Sequence, residues 1–216
     1  MDFLENLCLA QEIIDNKTSD SFVLKEGEGR ILFSAPHAVE QRRNGKIKSA
    51  EPATGLLCEM LHNELNCPII RKVSNLSDDA NFNPVSDFRQ ALEHYVRENN
   101  IKLVVDLHQL ATHRSVMVCI GTGQYRNLSD KEILNRILFA FSRERLGSIQ
   151  IDKPFAGRYR YTVASSVHNN CGIQSVQIEM NSRLFIPDFR EYDIEGVYKA
   201  LKTCYYSIHN YFGECR

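Results

Sequence analysis

The chain has 216 residues, a formal net charge of −1, 43% hydrophobic residues and 25% charged residues, values typical of a globular protein with a substantial core. Because the charge is balanced, we expect neither nucleic acid nor a membrane surface as a partner. No apolar run approaches the roughly 20 residues that span a bilayer, and the N-terminus lacks the pattern of a signal peptide. The seven cysteines include no Cys-x-x-Cys pair, which predicts reduced thiols and a cytoplasmic location.

The first part of the chain alternates predicted helices with predicted strands. Residues 3–16 show apolar side chains at helical spacing, and residues 31–35 form the first predicted strand. Residues 38–50 are polar and basic, and we expect a long loop there. A helix is predicted to start at Glu51-Pro52, because proline suits the first helical position and acidic residues suit a helix N-terminus.

The rest of the chain continues this alternation. The further predicted elements are a strand at 68–73, a helix at 86–98, a strand at 101–107, a strand at 114–120, a helix opened by the capping box Ser129-x-x-Glu132, a strand at 175–180 and a helix from Tyr192. Residues 147–172 are predicted to be irregular. The strand at 101–107 is apolar on both faces, as expected at the centre of a parallel sheet covered by helices. The pattern predicts an α/β fold, with a single domain over residues 1–216 and three layers around a mixed, largely parallel sheet.

Three predicted strands end in side chains that could carry chemistry. His37 follows the first strand, Asp106 and His108 end the central one, and Glu179 lies on the strand at 175–180. Open α/β sheets bind their ligands at the carboxyl ends of the strands. Two imidazoles and one carboxylate are the protein ligands of a catalytic zinc that keeps one position open for water. We therefore expect one zinc ion, bound by His37, His108 and a glutamate.

Two of the carboxylates have predicted roles around that zinc ion. Asp106 lies on the same side of its strand as His108 and could orient that ring, although a bond to a nearby backbone amide is equally simple. Glu179 ends a half-buried strand, where its pKa would be raised and it could act as a general base. A surface salt bridge is the alternative for Glu179.

Basic residues provide candidates for substrate binding. The predicted loop after His37 contains Arg42, Arg43, Lys46 and Lys48, which would ordinarily be solvated. Beside a metal site, an arginine could instead bind a substrate carboxylate through two parallel hydrogen bonds. Arginines of later segments compete for this role, and the preferred set is Arg42, Arg160 and Arg183, with Arg158 as a further competitor.

Three short motifs resemble the N-formylglutamate amidohydrolase family, which is similar in fold to the zinc carboxypeptidases. They are Ser34-Ala-Pro-His37, Asp106-Leu-His108 and Gln177-Ile-Glu-Met-Asn181. The resemblance covers most of residues 30–185 and implies a phosphorylase/hydrolase-like fold. It also implies a zinc-dependent hydrolase that cleaves an amide bond in an N-acyl amino acid or a small peptide. The chain is shorter than typical members, and its basic stretch at 41–48 is distinctive.

The acidic zinc ligand has two candidates. Glu40 has the His-x-x-Glu spacing of the zinc carboxypeptidases, whereas Glu51 occupies the place used by the resembling family, near the start of the following helix. Residues 40–48 show no apolar stripe, so a helix at Glu40 is not expected. A rigid helix start fixes a ligand better than a loop does, and we therefore favour Glu51 over Glu40. A non-catalytic ligand-binding domain of the same fold is the alternative function.

Overall fold

A computed structural model describes residues 2–15, 19–74 and 78–214. Its α-helices, α1 to α6 in chain order, are Phe3–Asp15, Pro52–Leu65, Asp87–Glu98, Lys131–Arg143, Val163–Cys171 and Ile194–Glu214. Its strands, β1 to β9 in chain order, are Phe22–Lys25, Ile31–Ala35, Gln41–Arg43, Lys46–Lys48, Ile69–Lys72, Leu103–Leu110, Val118–Gly121, Ile149–Ile151 and Gln174–Asn181. A short 3₁₀ helix, Ser182–Phe185, follows β9. Within these ranges, no helix is both long and apolar enough to cross a bilayer.

The central sheet contains seven strands in the order β1-β5-β2-β6-β9-β7-β8. Strands β5, β2, β6 and β9 run parallel to one another, while β1 and β7 each pair antiparallel with a neighbour. Strand β6 lies at the centre of this order, as its two apolar faces predict. The predicted mixed, largely parallel sheet is therefore confirmed.

Helices cover both faces of the sheet and give the predicted three layers. On one face, apolar side chains of β2 such as Phe33 pack into a cluster with α1, α2, α4 and α6. On the other face, Leu32 packs into a second cluster with α3 and α5. Adjacent residues of a strand point to opposite faces, so one strand contributes to both cores.

Two stretches predicted without regular structure contain short elements. Residues 147–172 hold β8 and α5, and residues 41–48 form the separate two-stranded hairpin β3-β4. Strand β1, which no sequence pattern indicated, pairs antiparallel with β5 at the edge of the sheet. These elements are three to nine residues long, too short to produce a clear apolar period.

Helix α4 starts differently from the prediction. Asp130, and not Ser129, is its N-cap, and its Oδ1 atom accepts hydrogen bonds from the backbone N–H groups of Glu132 and Ile133. The Ser129 hydroxyl instead accepts a hydrogen bond from the side chain of Gln174 on β9. The predicted capping box is wrong because the carboxylate satisfies the free N–H groups and also interacts favourably with the helix dipole.

Candidate active site

Adjacent parallel strands bring the predicted residues to one edge of the sheet. β2, β6 and β9 are neighbours, and His108 on β6 lies directly opposite Glu179 on β9. His37 lies two residues beyond the end of β2, and all three side chains are buried. The carboxyl ends of these strands therefore form the floor of the candidate site.

Glu51 connects the two histidines. Its Oε1 atom lies 3.1 Å from His37 Nδ1, and its Oε2 atom lies 3.0 Å from His108 Nδ1. The backbone N–H of Gln109 also donates to Oε2 at 3.0 Å. Glu51 is the N-cap residue of α2 and Pro52 follows it, but its side chain makes no capping hydrogen bond. The carboxylate is thus directed at the imidazoles and away from its own helix.

Two aspartates hold the outer sides of the rings. His37 Nε2 lies 2.9 Å from Asp79 Oδ1, and His108 Nε2 lies 2.9 Å from Asp106 Oδ2. The Asn81 amide nitrogen also lies 3.0 Å from His108 Nε2, but an amide nitrogen only donates, so a ring N–H at Nε2 donates to the Asp106 carboxylate. When the rings are neutral and donate Nε2–H outward, both Nδ1 lone pairs face Glu51, as metal binding requires. Partners of this kind fix the orientation and tautomer of metal-binding histidines.

No sequence pattern predicted a role for Asp79. It lies between β5 and α3, is fully buried, and also accepts hydrogen bonds from Arg43, at 2.9 Å from Nε. Burial alone would raise the pKa of Asp79, but His37 and Arg43 hold it well below its usual range. Its only sequence signal was a carboxylate in a loop after a strand, which does not indicate the direction of the side chain.

The donor set fits a divalent cation such as zinc. Ligand atoms of His37, Glu51 and His108 lie within 4.8 Å of one another, and all three residues are buried. Burial alone would raise the pKa of Glu51, but the two facing imidazoles hold it well below its usual range. For His108, burial would lower the pKa, but Asp106 and Glu51 raise it well above its usual range. These shifts share one cause: the imidazoles and the buried carboxylates face each other, and each favours the charged form of the other.

Lys48 places an ammonium group at this point. Its Nζ atom lies 2.6 Å from His37 Nδ1 and 2.7 Å from Glu51 Oε1. The position between the ligand atoms is therefore one that a cation can take. Glu40, the other candidate acidic ligand, has an exposed side chain and lies outside the cluster of ligand atoms.

Glu179 lies beside this cluster. Burial raises its pKa, an effect that the charge of Glu51 reinforces and that His108 and Lys48 partly oppose. The side-chain amide of Gln177, two residues earlier on the same face of β9, donates to Glu179 Oε1 at 2.5 Å. A raised pKa makes a carboxylate a stronger base, which favours its taking a proton from water.

A cavity of about 690 Å³ opens over these residues and is lined by His37, Glu51, His108 and Glu179 among others. Its outer wall contains Arg114, Phe155, Arg158 and Tyr159, all of them exposed. The guanidinium of Arg114 lies 5.6 Å from the centre of the Phe155 ring, and that of Arg158 donates to Gln124 at 2.6 Å. Among the described residues, neither arginine forms an ion pair, so both remain available to an anionic ligand.

The arginines preferred from the sequence lie elsewhere. Arg42 is exposed on the hairpin, and Arg160 stacks on the ring of Tyr161 with 4.7 Å between the guanidinium and the ring centre. Arg183 is paired with Glu191 at 2.8 Å. None of these three lies among the cavity-lining residues, so their role in substrate binding stays a prediction.

Known proteins match this chain by structure but not by sequence. No protein-family model matches the sequence, and no curated protein has a similar sequence. Solved structures do match. A bacteriophage poly-γ-glutamate hydrolase aligns with 95% of this chain and 96% of its own length at 13% identity and a TM-score of 0.55.

Two further structures extend this likeness. N-formylglutamate amidohydrolase from Ralstonia eutropha aligns with 89% of this chain and 99% of its own length, at 12% identity and a TM-score of 0.61. A putative carboxypeptidase A from Shewanella denitrificans aligns with 85% of this chain and 58% of its own length, at 14% identity and a TM-score of 0.52. At these identities the likeness concerns the fold. The chain therefore has the fold that its three motifs predicted, shared with N-formylglutamate amidohydrolase and a carboxypeptidase.

Proposed function

We propose that this protein is a metal-dependent hydrolase that cleaves an amide bond in an N-acyl amino acid or a small peptide. One observation carries the proposal: Glu51 faces the Nδ1 atoms of His37 and His108, while Asp79 and Asp106 hold the opposite ring nitrogens. A purely structural pair of histidines does not need two outer carboxylates and a third carboxylate between the rings. The arrangement suits a single zinc ion with an open coordination position.

Bound zinc would polarise a scissile carbonyl and lower the pKa of a water molecule. The chain's own residues supply the remaining chemistry. Glu179 takes a proton from the attacking water and passes it to the leaving nitrogen, which its raised pKa favours. The amide of Gln177 fixes the carboxylate in the direction of the cavity.

The arginines on the outer wall of the cavity indicate the class of substrate. Arg114 and Arg158 present guanidinium groups at two places on this wall, and both can bind carboxylates through paired hydrogen bonds. Two of the similar structures are named for hydrolysis of poly-γ-glutamate and of N-formylglutamate, and both of these substrates carry carboxylates. We therefore favour an N-acyl or peptide substrate with at least one carboxylate near the scissile bond.

The direct test is metal-dependent hydrolysis. Purified protein, stripped with a chelator and reloaded with zinc, is assayed on a panel of N-formyl and N-acetyl amino acids, dipeptides and γ-linked glutamate oligomers. Glu179→Gln should keep the fold and the zinc but lower kcat by about 10²- to 10⁴-fold. Glu195→Gln on α6 is the control, because Glu195 is exposed and forms an ion pair with Lys199 away from the cavity. A zinc-loaded parent that binds panel members without turnover would support the ligand-binding alternative.

Once a substrate has been identified, arginine variants can show which of these residues bind it. Arg114→Ala and Arg158→Ala should each raise KM by about tenfold or more, since charge-assisted hydrogen bonds contribute about 1.5–3 kcal/mol. The corresponding variants of Arg42, Arg160 and Arg183 should change KM less, because these residues lie away from the cavity. Larger increases in KM for the Arg42, Arg160 and Arg183 variants would instead assign substrate binding to those three arginines.

A further inference from the structure

The hairpin β3-β4 places two basic side chains at the candidate metal site. Its turn, Asn44-Gly45, has positive φ angles of 51° and 75°, the backbone that a two-residue hairpin loop requires and that this residue pair favours. Arg43 pairs with Asp79 at 2.7 Å, and Lys48 reaches His37 and Glu51. The hairpin is separate from the central sheet, so these side-chain contacts are a large part of its attachment.

The Lys48 ammonium and a zinc ion need the same donor atoms. Nζ lies 2.6 Å from His37 Nδ1 and 2.7 Å from Glu51 Oε1. A zinc ion would lie about 2.0–2.2 Å from each of these two atoms, in the space between them. Two cations cannot share those lone pairs at such distances, because they would overlap sterically and repel each other.

Lys48 has a route out of the site. Its side chain is 36% exposed, whereas Glu51 is 8% exposed, so a rotation of the lysine returns the ammonium to water. The pairing of Arg43 with Asp79 and the hydrogen bond from the Arg42 backbone to Asp78 hold the hairpin independently of Lys48. Exchange of ammonium for metal therefore does not require the whole hairpin to leave.

We propose that Lys48 is a built-in competitor for the metal, an ammonium that occupies the position between His37 and Glu51 until a divalent cation displaces it. This inference rests on the proposed metal site, but it does not depend on hydrolysis. Lys48 stabilises the metal-free cluster, and it weakens metal binding because its contacts must break first. Replacing Lys48 should therefore lower the stability of the metal-free protein and raise the affinity for zinc.

The test compares Lys48→Met with Lys46→Met in otherwise unchanged protein. Lys46 lies on the same strand, is exposed and carries the same charge, so it controls for long-range electrostatics. Zinc affinity is measured by competition with a chromogenic chelator, and stability by urea unfolding in the presence of a strong chelator. We expect Lys48→Met to bind zinc about tenfold more tightly, the size of one charge-assisted hydrogen bond. The same variant should unfold at lower urea concentration without metal, whereas Lys46→Met should match the parent in both.

Every other outcome either supports or refutes the competitor role of Lys48. Zinc affinity in Lys48→Met that equals or falls below the parent value overturns the proposal, because a structural lysine would lower stability without tightening metal binding. If neither protein binds zinc, the metal site and the proposal fail together. If only the variant binds zinc, the competitor role stands and zinc-dependent hydrolysis by the parent is refuted. If Lys48→Met does not fold, Lys48→Gln replaces it in the same two measurements, with the same expected and contradicting results.

Discussion

Helix α2 positions two buried glutamates, about two helical turns apart, whose surroundings differ. Glu59 accepts from Arg71 at 2.5 Å through one oxygen and from Lys25 at 2.6 Å through the other. Glu51 instead faces the Nδ1 atoms of two histidines. Glu59 is therefore paired with an arginine and a lysine, whereas Glu51 faces two imidazoles and the ammonium group of Lys48. Both carboxylates are buried, so their partners, more than their burial, distinguish a structural ion pair from a candidate metal ligand.

The largest expected effect is a loss of stability when Glu59, and not Glu51, is replaced. Glu59→Gln would leave the buried Arg71 guanidinium without a counter-charge, and breaking such a pair costs about 3–5 kcal/mol in free energy of unfolding. Zinc binding by the folded fraction should be unchanged. Urea unfolding and zinc content of the same preparation measure both quantities. Loss of zinc in folded Glu59→Gln would remove the distinction between the two glutamates.

Glu51→Gln should show the opposite pattern. An outer partner of a metal ligand typically contributes about 10- to 100-fold in metal affinity, and a direct ligand should contribute more than about 100-fold. We expect the zinc affinity of Glu51→Gln to fall by at least that factor, with a smaller loss of stability than in Glu59→Gln. Zinc titration of Glu40→Gln is the companion experiment. Weak binding in Glu40→Gln with near-normal binding in Glu51→Gln would make Glu40 the acidic ligand.

The outer carboxylates should have an intermediate effect. Asp79→Asn and Asp106→Asn each replace the charged acceptor that orients one imidazole with a neutral amide, and each should weaken zinc binding by about 10- to 100-fold. Asp78→Asn is the control, because Asp78 neighbours Asp79 in sequence but pairs with Lys72. Equal zinc affinities for the Asp78 and Asp79 variants would show that His37 is oriented without Asp79.

The smallest expected effect is a pH dependence of the metal-free protein. The pKa of Asp79 is lowered in the folded state by His37 and Arg43, despite burial, and an unfolded aspartate has a pKa of about 3.9. Its contribution to stability is therefore present above about pH 4 and is lost as the pH falls through the folded value. The stability gap between the parent and Asp79→Asn should narrow below about pH 4. Urea unfolding from pH 3 to 7 with chelator measures it, and a gap that is constant across this range would contradict the assigned cause.

Much of the site could be predicted because strands repeat a simple pattern. The apolar run at 101–107 indicated a central strand, and alternation placed Asp106 and His108 on one side of it. Proline at position 52 indicated the start of α2, and with it the rigid position of Glu51. In each case the signal is local, because the backbone geometry of a few consecutive residues fixes the direction of the side chain.

The tertiary structure decided what depends on loops and on distant neighbours. Asp79 became a partner of His37 because the tertiary structure places these two distant residues side by side, and no periodicity reveals where a loop carboxylate points. Arg114 and Arg158, which are far apart in sequence, line one cavity because their segments pack together. Arg183 instead pairs with Glu191, eight residues later in the chain. Lys48 enters the cluster only because an Asn-Gly turn folds its strand back as a hairpin. The sequence by itself determined which residues stand at the strand ends, and the packing of loops on those ends decided which charges surround them.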